Sequence, residues 1–224
     1  MKLKIIFIEP EYEINIGMNA RLLKNFAITQ MHIVNPKCSL GFSAKMYAKH
    51  AKNIIENARI YKKLEDAIKD CELIIGTTGR IEKNFSVGIK PLDIKQIKQK
   101  LENRKIDGNV ALLFGPEGSG LKEDEIKKCD LLLTIPTSKN YPVMNITNAL
   151  AICLYEFKKV KPKYRAEKLA TKNERNYIKK LILKKIENTE KIKNKEKIKN
   201  VLFSIVERKF LTEIEARALL YLLK

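Results

Sequence analysis

The stretch LLFGPEGSGLKEDEI, Leu112 to Ile126, decides how this chain is read. An apolar run feeds a turn that contains Gly115, Gly118 and Gly120, and the residues from Lys122 onward read as a helix. A strand that ends in glycines and opens a helix is the outline of a phosphate cradle. The details argue against that ligand. A Walker loop needs GxxxxGK followed by Ser or Thr, and here Leu121 separates Gly120 from Lys122. A dinucleotide fingerprint needs GxGxxG at the first strand–helix turn, which here reads EPEYEINIG, Glu9 to Gly17. Glu117, inside the loop, would repel a phosphate. Two readings remain: a tight structural turn, or a loop for a ligand that is positively charged or rich in hydrogen-bonding groups.

Working outward, NVALLFG (109–115) and LLLTIP (131–136) read as buried strands, with KEDEIKKC (122–129) helical between them. KLKIIFI (2–8), MHIVNP (31–36) and ELIIGTT (72–78) are further strands. Helices are predicted from an Asn15 cap to about Phe26, and over 43–58, 64–71, 93–103 and 146–159. Alternating strands and helices, with near-continuous apolar strands, predict an α/β parallel sheet covered by helices on both faces. Ligands in such sheets sit at the carboxyl ends of the strands.

Two segments at that edge carry candidate chemistry. In NIGMNARLLKNF (15–26), Gly17 permits close approach of backbone or ligand. Arg21 and Lys24 lie three apart and point to one side of the helix, which suits phosphate binding or simply a solvated face. In IPTSKNYPVMNITNA (135–149), a strand runs into a polar loop and a helix opens near Asn145 or Thr147. That strand is expected to neighbour the one before the glycine loop, so that both loops leave one sheet edge.

The 224 residues suffice for one good core, or a core plus a small appendage. No uncharged apolar run reaches roughly 18 residues, and the N-terminus lacks the pattern of a signal peptide. A cytoplasmic protein without a membrane span is expected. Cysteines 38, 71, 129 and 153 form no CxxC pair and there are only 2 histidines, so no metal framework is expected. The formal net charge is +19, which calls for a polyanionic partner or a strongly solvated surface. Residues 158–224 hold 21 Lys and Arg against 8 Asp and Glu, whereas 1–157 hold 24 against 18. A Lys/Ile/Glu-rich, heat-adapted composition explains many lysines but not this excess at one end. The imbalance points to nucleic acid. KVKPKYRAEK (159–168) reads as a linker, followed by helices over 172–187, 191–207 and 212–223, the last opened by a Thr212/Glu215 capping box. The expected division is an α/β domain over 1–160 and a small basic helical extension over 161–224.

Three of these segments together resemble the motifs of the SPOUT class of RNA methyltransferases, in its TrmH-like 2′-O-ribose branch: EPEYEINIGMNARLLKNFAITQMHIVNP, LLFGPEGSGLKEDEI and LLLTIPTSKNYPVMNITNALAICLYEF. Their order and separation match, and the resemblance covers about 1–160. A catalytic-like domain that opens the chain, and a basic tail ending KIKNVLFSIVERKFLTEIEARALLYLLK, resemble the TrmJ subgroup. The resemblance implies a C-terminal trefoil knot in the α/β domain, a homodimer and methylation of tRNA at the ribose of the first anticodon-loop nucleotide, position 32. It implies an S-adenosylmethionine (SAM) site built from Thr77, Thr78, Gly79, Gly115, Glu117, Gly120, Ile135, Pro142, Val143 and Met144. It implies catalytic roles for Arg21, Asn15, Glu117 and Asn145, RNA contacts from Arg21, Lys24 and Arg80, and an arginine that reaches the site from a second copy. One position departs from the pattern. The family commonly has Ser-x-Asn in the third motif, and here the residues are Val143-Met144-Asn145. Either that hydroxyl is dispensable, or Thr147 or a water replaces it, or activity is lost. Two other readings stand beside this one: a TrmH-like enzyme acting elsewhere on tRNA or on ribosomal RNA, and a non-catalytic RNA-binding relic.

Overall fold

The computed structural model describes residues 1–79, 89–138, 140–160, 167–189, 194–207 and 211–223. The chain divides into two units, Met1–Lys100 with Asp107–Lys161, and Leu101–Ile106 with Pro162–Lys224.

In the first unit, β1 (Lys2–Ile8) is buried from Lys4 through Ile8, so that its apolar run Ile5–Ile8 is covered on both faces. It pairs in parallel with β2 (His32–Val34) on one side and β7 (Asn109–Phe114) on the other. With β3 (Arg59–Tyr61), β4 (Cys71–Thr78), β5 (Leu92–Asp93) and β8 (Leu131–Thr134) they form a seven-stranded sheet of order β3-β2-β1-β7-β4-β8-β5. Every pairing is parallel. Side chains two apart share a face. Ile6, Ile8, Ile74, Ala111 and Leu113 therefore form one layer, closed by Leu64 and Ala67 of α4 (Leu64–Ile68). Each fully buried Ile or Leu contributes about 1.5–3 kcal/mol. On the opposite face Phe7 stacks on Phe114 with centroids 5.8 Å apart.

The expected adjacency of the strands ending at Phe114 and Thr134 is corrected here. β4 lies between β7 and β8, so the 115–130 connection crosses one strand. Asp130 anchors the far side. Its backbone N–H donates to the Ile74 carbonyl at 2.8 Å and its carboxylate accepts from the Ile74 N–H at 2.7 Å. Both loops nevertheless leave the same carboxyl edge, because all the strands run one way.

Helix α1 spans Glu13–Asn25 with Tyr12 at its N-cap, three residues earlier than an Asn15 cap predicts. Asn15 is therefore buried within the first turn. Gly17 is spent on packing: a Cβ there would lie 2.4 Å from the Ala44 carbonyl oxygen of α2 (Phe42–Ala48). The single helix expected over 43–58 is broken into α2, a 3₁₀ turn (Lys49–Ala51) and α3 (Lys52–Glu56), with Lys49 at φ 51°. The helix expected over 64–71 stops at Ile68, because Cys71 already pairs with Asn109 in the sheet. α5 (Ile94–Glu102) and α7 (Ile146–Lys158) follow the predicted periodicity, whereas α6 (Glu123–Ile126) ends three residues short of the expected 129.

In the second unit, β6 (Arg104–Lys105) pairs with β9 (Glu167–Lys168), which draws 101–106 away from the α/β unit that surrounds it in sequence. α8 (Lys172–Glu187), α9 (Lys195–Glu207) and α10 (Glu213–Leu223) enclose Ala170, Ile178, Ile182, Ile186, Val206, Leu211 and Ala216. The predicted capping box is present. The Glu215 N–H donates to Thr212 Oγ1 at 3.1 Å, and the Thr212 N–H donates to the Glu215 carboxylate at 2.7 Å.

Candidate active site

The turns after β1, β4, β7 and β8 enclose a cavity of about 730 Å³, within the range of small-molecule sites. Asn15, Asn145 and all ten residues assigned by resemblance to the cofactor line it: Thr77, Thr78, Gly79, Gly115, Glu117, Gly120, Ile135, Pro142, Val143 and Met144. Phe114, Leu133 and Ile135 supply apolar wall. Among the described residues Glu117 is the one charged side chain in the lining, with no Lys, Arg or His beside it. A phosphate would meet that carboxylate and, among the described residues, no compensating cation, which agrees with the reading of Glu117 from sequence.

The glycine loop is held by backbone contact and by carboxylates. A Cβ on Gly115 would lie 2.4 Å from Gly120 C and 2.4 Å from Leu121 N, so the two ends of the loop touch where only glycine fits. Gly120, at φ +70°, donates its N–H to the Pro116 carbonyl at 2.9 Å. Glu117 Oε1 accepts from Asn15 Nδ2 at 2.9 Å, and Oε2 accepts from the Glu11 N–H at 3.0 Å. Glu11 returns the contact, its carboxylate accepting from the Gly118 N–H at 3.3 Å.

One amide orientation propagates through this cluster. Asn145 is the N-cap of α7, and its Oδ1 accepts from the Thr147 N–H at 2.9 Å. Its Nδ2 must then face outward, and it donates to Asn15 Oδ1 at 3.4 Å. That leaves Asn15 Nδ2 for Glu117, the one partner able to use it. The cap and the network are one device, linking α7, α1 and the glycine loop.

The RNA-contact assignments fare differently. Arg21 is exposed and is not in the cavity lining. It follows Asn15 by six residues, about 120° around the helix axis. Lys24 donates its ammonium to the His50 carbonyl, tying α1 to the 3₁₀ turn. Arg80 lies outside the described residues. Thr147 is buried and absent from the lining, so it does not present a hydroxyl in place of the family serine. Val143 lines the cavity and is half exposed.

Sequence reasoning missed Tyr12, Ile14, Leu133, Thr137 and Tyr141 in the lining, as well as the part played by Glu11. Thr137 Oγ1 donates to the Pro142 carbonyl at 2.9 Å and so pins the loop after β8. The acidic EPEYE turn opposite a glycine loop rich in free N–H groups was the signal for Glu11. Among the described residues no group of three or more His, Cys, Asp or Glu side chains is placed to hold a metal, and no helix is long and apolar enough to cross a membrane.

Comparison with known proteins agrees with this geometry. Residues 2–155 match the SpoU rRNA Methylase family. The chain is 37% identical over 164 residues to the tRNA (cytidine-2′-O-)-methyltransferase TrmJ of Methanocaldococcus jannaschii, covering 72% of this chain and 70% of that protein. It is 36% identical over 159 residues to the TrmJ of Sulfolobus acidocaldarius, covering 70% and 65%. The crystal structure of TrmJ from Z. mobilis ZM4 superposes with a TM-score of 0.68 at 25% identity, covering 100% of this chain and 98% of that one. The parallel sheet, the glycine loop at its carboxyl edge and the family match over most of the first unit have one reading: the chain belongs to the SpoU rRNA methylase family of SPOUT-class RNA methyltransferases.

Proposed function

We propose that the protein is a SAM-dependent tRNA ribose 2′-O-methyltransferase acting on nucleotide 32, the first of the anticodon loop, in the cytoplasm. The observation that carries this reading is the cavity: large enough for a nucleoside, walled by apolar side chains and backbone, and bearing, among the described residues, a single carboxylate and no cation. A sulfonium nucleoside fits that chemistry and a nucleotide phosphate does not. The relatives named for tRNA 2′-O-methylation, and the excess of Lys and Arg over 158–224, support tRNA as substrate.

When bound, SAM supplies an activated methyl group. The chain's own residues must hold it and bring a ribose hydroxyl in line with it. The Gly115–Gly120 contact brings the glycine loop to the cavity wall, where Thr77, Thr78, Gly79, Ile135, Pro142, Val143 and Met144 complete the pocket. Thr77 Oγ1 is already donated to the Leu113 carbonyl at 2.8 Å and keeps the β4 turn in register. Asn15 and Asn145 hold the nucleotide-facing side through their shared amide orientation. Methyl transfer forms an O–C bond, breaks a S–C bond and releases the hydroxyl proton. Arginine is a poor base, with a pKa above about 12. Arg21 therefore binds the target phosphate and orients the hydroxyl, whose proton leaves through that phosphate or a water. Val143 contributes no hydrogen bond to this step.

Arg21 does not reach the cavity of its own chain, which supports a homodimer in which it serves the site of a second copy. Exposed Met18, three residues before it on α1, offers that dimer an apolar contact. The C-terminal threading is supported by β4 lying between β7 and β8. Purified protein incubated with labelled SAM and unmodified tRNA, followed by nuclease mapping and mass spectrometry, tests the whole reading. A 2′-O-methyl mark at nucleotide 32 is expected. A mark elsewhere overturns the position, and no transfer by folded protein to tRNA or ribosomal RNA favours the relic.

A further inference from the structure

Glu9 stands at the carboxyl end of β1, just outside the cavity, in a conformation its sequence discourages. Its φ is +46°, in the left-handed region that non-glycine residues avoid. The residue that follows is Pro10, which biases the preceding residue toward extended backbone. Strained backbone of this kind persists where surrounding contacts over-determine it, and those contacts are visible. The Glu9 N–H donates to the Val34 carbonyl at 2.8 Å. Oε1 accepts from Asn35 Nδ2 at 2.9 Å, and Asn35, at the end of β2, is itself left-handed at φ +46°. Oε2 accepts from the Lys122 ammonium at 2.9 Å, and the Lys37 ammonium lies 3.7 Å from Oε1. One carboxylate thus joins the turns after β1, β2 and β7.

Lys122 is the residue that ends the glycine loop and caps α6. An isolated exposed ion pair adds little to stability. This one acts instead on position, since it fixes the exit of a loop whose entrance is fixed by the Gly115–Gly120 contact. We propose that Glu9 is a positioning residue that, through Lys122, holds the glycine loop in the pose that binds the cofactor. The proposal rests on the methyltransferase reading for the identity of that ligand, and on the loop geometry alone for the clamp.

The test is a double-mutant cycle read by calorimetric SAM binding and by hydrogen exchange of the Gly118–Leu121 amides. Glu9→Gln and Lys122→Met should each weaken SAM binding about 10-fold and speed exchange in the loop, with the melting temperature little changed. The double variant should be no weaker than the weaker single, because both break one link. Lys122→Arg should stay within about 2-fold of wild type. Glu9→Gly relieves the left-handed strain and yet should weaken SAM binding as much as Glu9→Gln does, a combination that a purely structural role does not give. SAM binding within about 2-fold of wild type for Glu9→Gln, unchanged exchange in the loop, or fully additive losses in the double variant each overturn the proposal. Wild-type protein that binds no SAM would refute the methyltransferase reading, and loop exchange in the same variants would then decide the clamp by itself.

Discussion

Asn15 donates its side-chain amide to Glu117 Oε1 at 2.9 Å across 102 positions of sequence. That contact joins the first motif to the second. Asn15 is buried, so deleting its partner strands a donor, at about 1–3 kcal/mol. Glu117→Ala should lower stability by that amount and reduce SAM binding at least about 10-fold, as read by urea unfolding and calorimetry. Unchanged SAM binding would mean that the network serves the fold only.

The loop glycines should differ in kind. Gly115→Ala drives a Cβ into backbone at 2.4 Å on two sides, and backbone cannot rotate away. Gly120→Ala meets nothing within 4 Å and suffers only from φ +70°, at about 1–2 kcal/mol. Calorimetry should show Gly115→Ala without measurable SAM binding, while Gly120→Ala binds more weakly and melts lower.

Arg21 is exposed and outside its own cavity. Arg21→Ala should abolish methyl transfer while SAM affinity stays within about 2-fold of wild type, since a group aimed at the substrate phosphate is not a cofactor ligand. Mixing Arg21→Ala protein with Gly115→Ala protein, under conditions of subunit exchange, should restore part of the activity. Absence of restored activity in verified mixed dimers would place Arg21 at its own chain's site.

The basic second unit should act through phosphate contact. Lys180, Lys184 and Lys185 are exposed along α8. Changing all three to Gln should weaken tRNA binding and reduce the slope of log K against log salt by up to about 2–3, leaving SAM binding unaltered. A filter-binding salt titration reads this directly.

His32 gives a pH dependence of stability. Burial, aided by the Lys4 and Arg59 charges, lowers its pKa from 6.5 to about 4. Its Nδ1 lies 3.0 Å from the Tyr61 hydroxyl. Between those values the unfolded chain takes up a proton that the folded chain refuses, so the stability present above 6.5 is lost as pH falls toward 4. At about 1.4 kcal/mol per pH unit the loss reaches at most about 3.5 kcal/mol. Urea midpoints at pH 7 and pH 5 should differ less in His32→Gln than in the wild type.

The sequence by itself determined the parallel sheet and its ligand edge. NVALLF is apolar at every buried position and KLKIIFI at every one but Lys4, which only a sheet covered on both faces satisfies. The sequence also marked the glycine loop and, through Glu117, argued against a phosphate. Local patterns were legible because they rest on residues a few positions apart, as with the Thr212/Glu215 cap. Tertiary structure decided what depends on residues far apart. It placed β4 between β7 and β8, ended the 64–71 helix early through strand pairing, and drew 101–106 into the second unit. It also turned Asn15 from an expected cap into a link to Glu117. Propensity and periodicity carry no information about contacts 100 residues away, and in each of these cases a buried hydrogen bond or a strand pairing overrode the local preference.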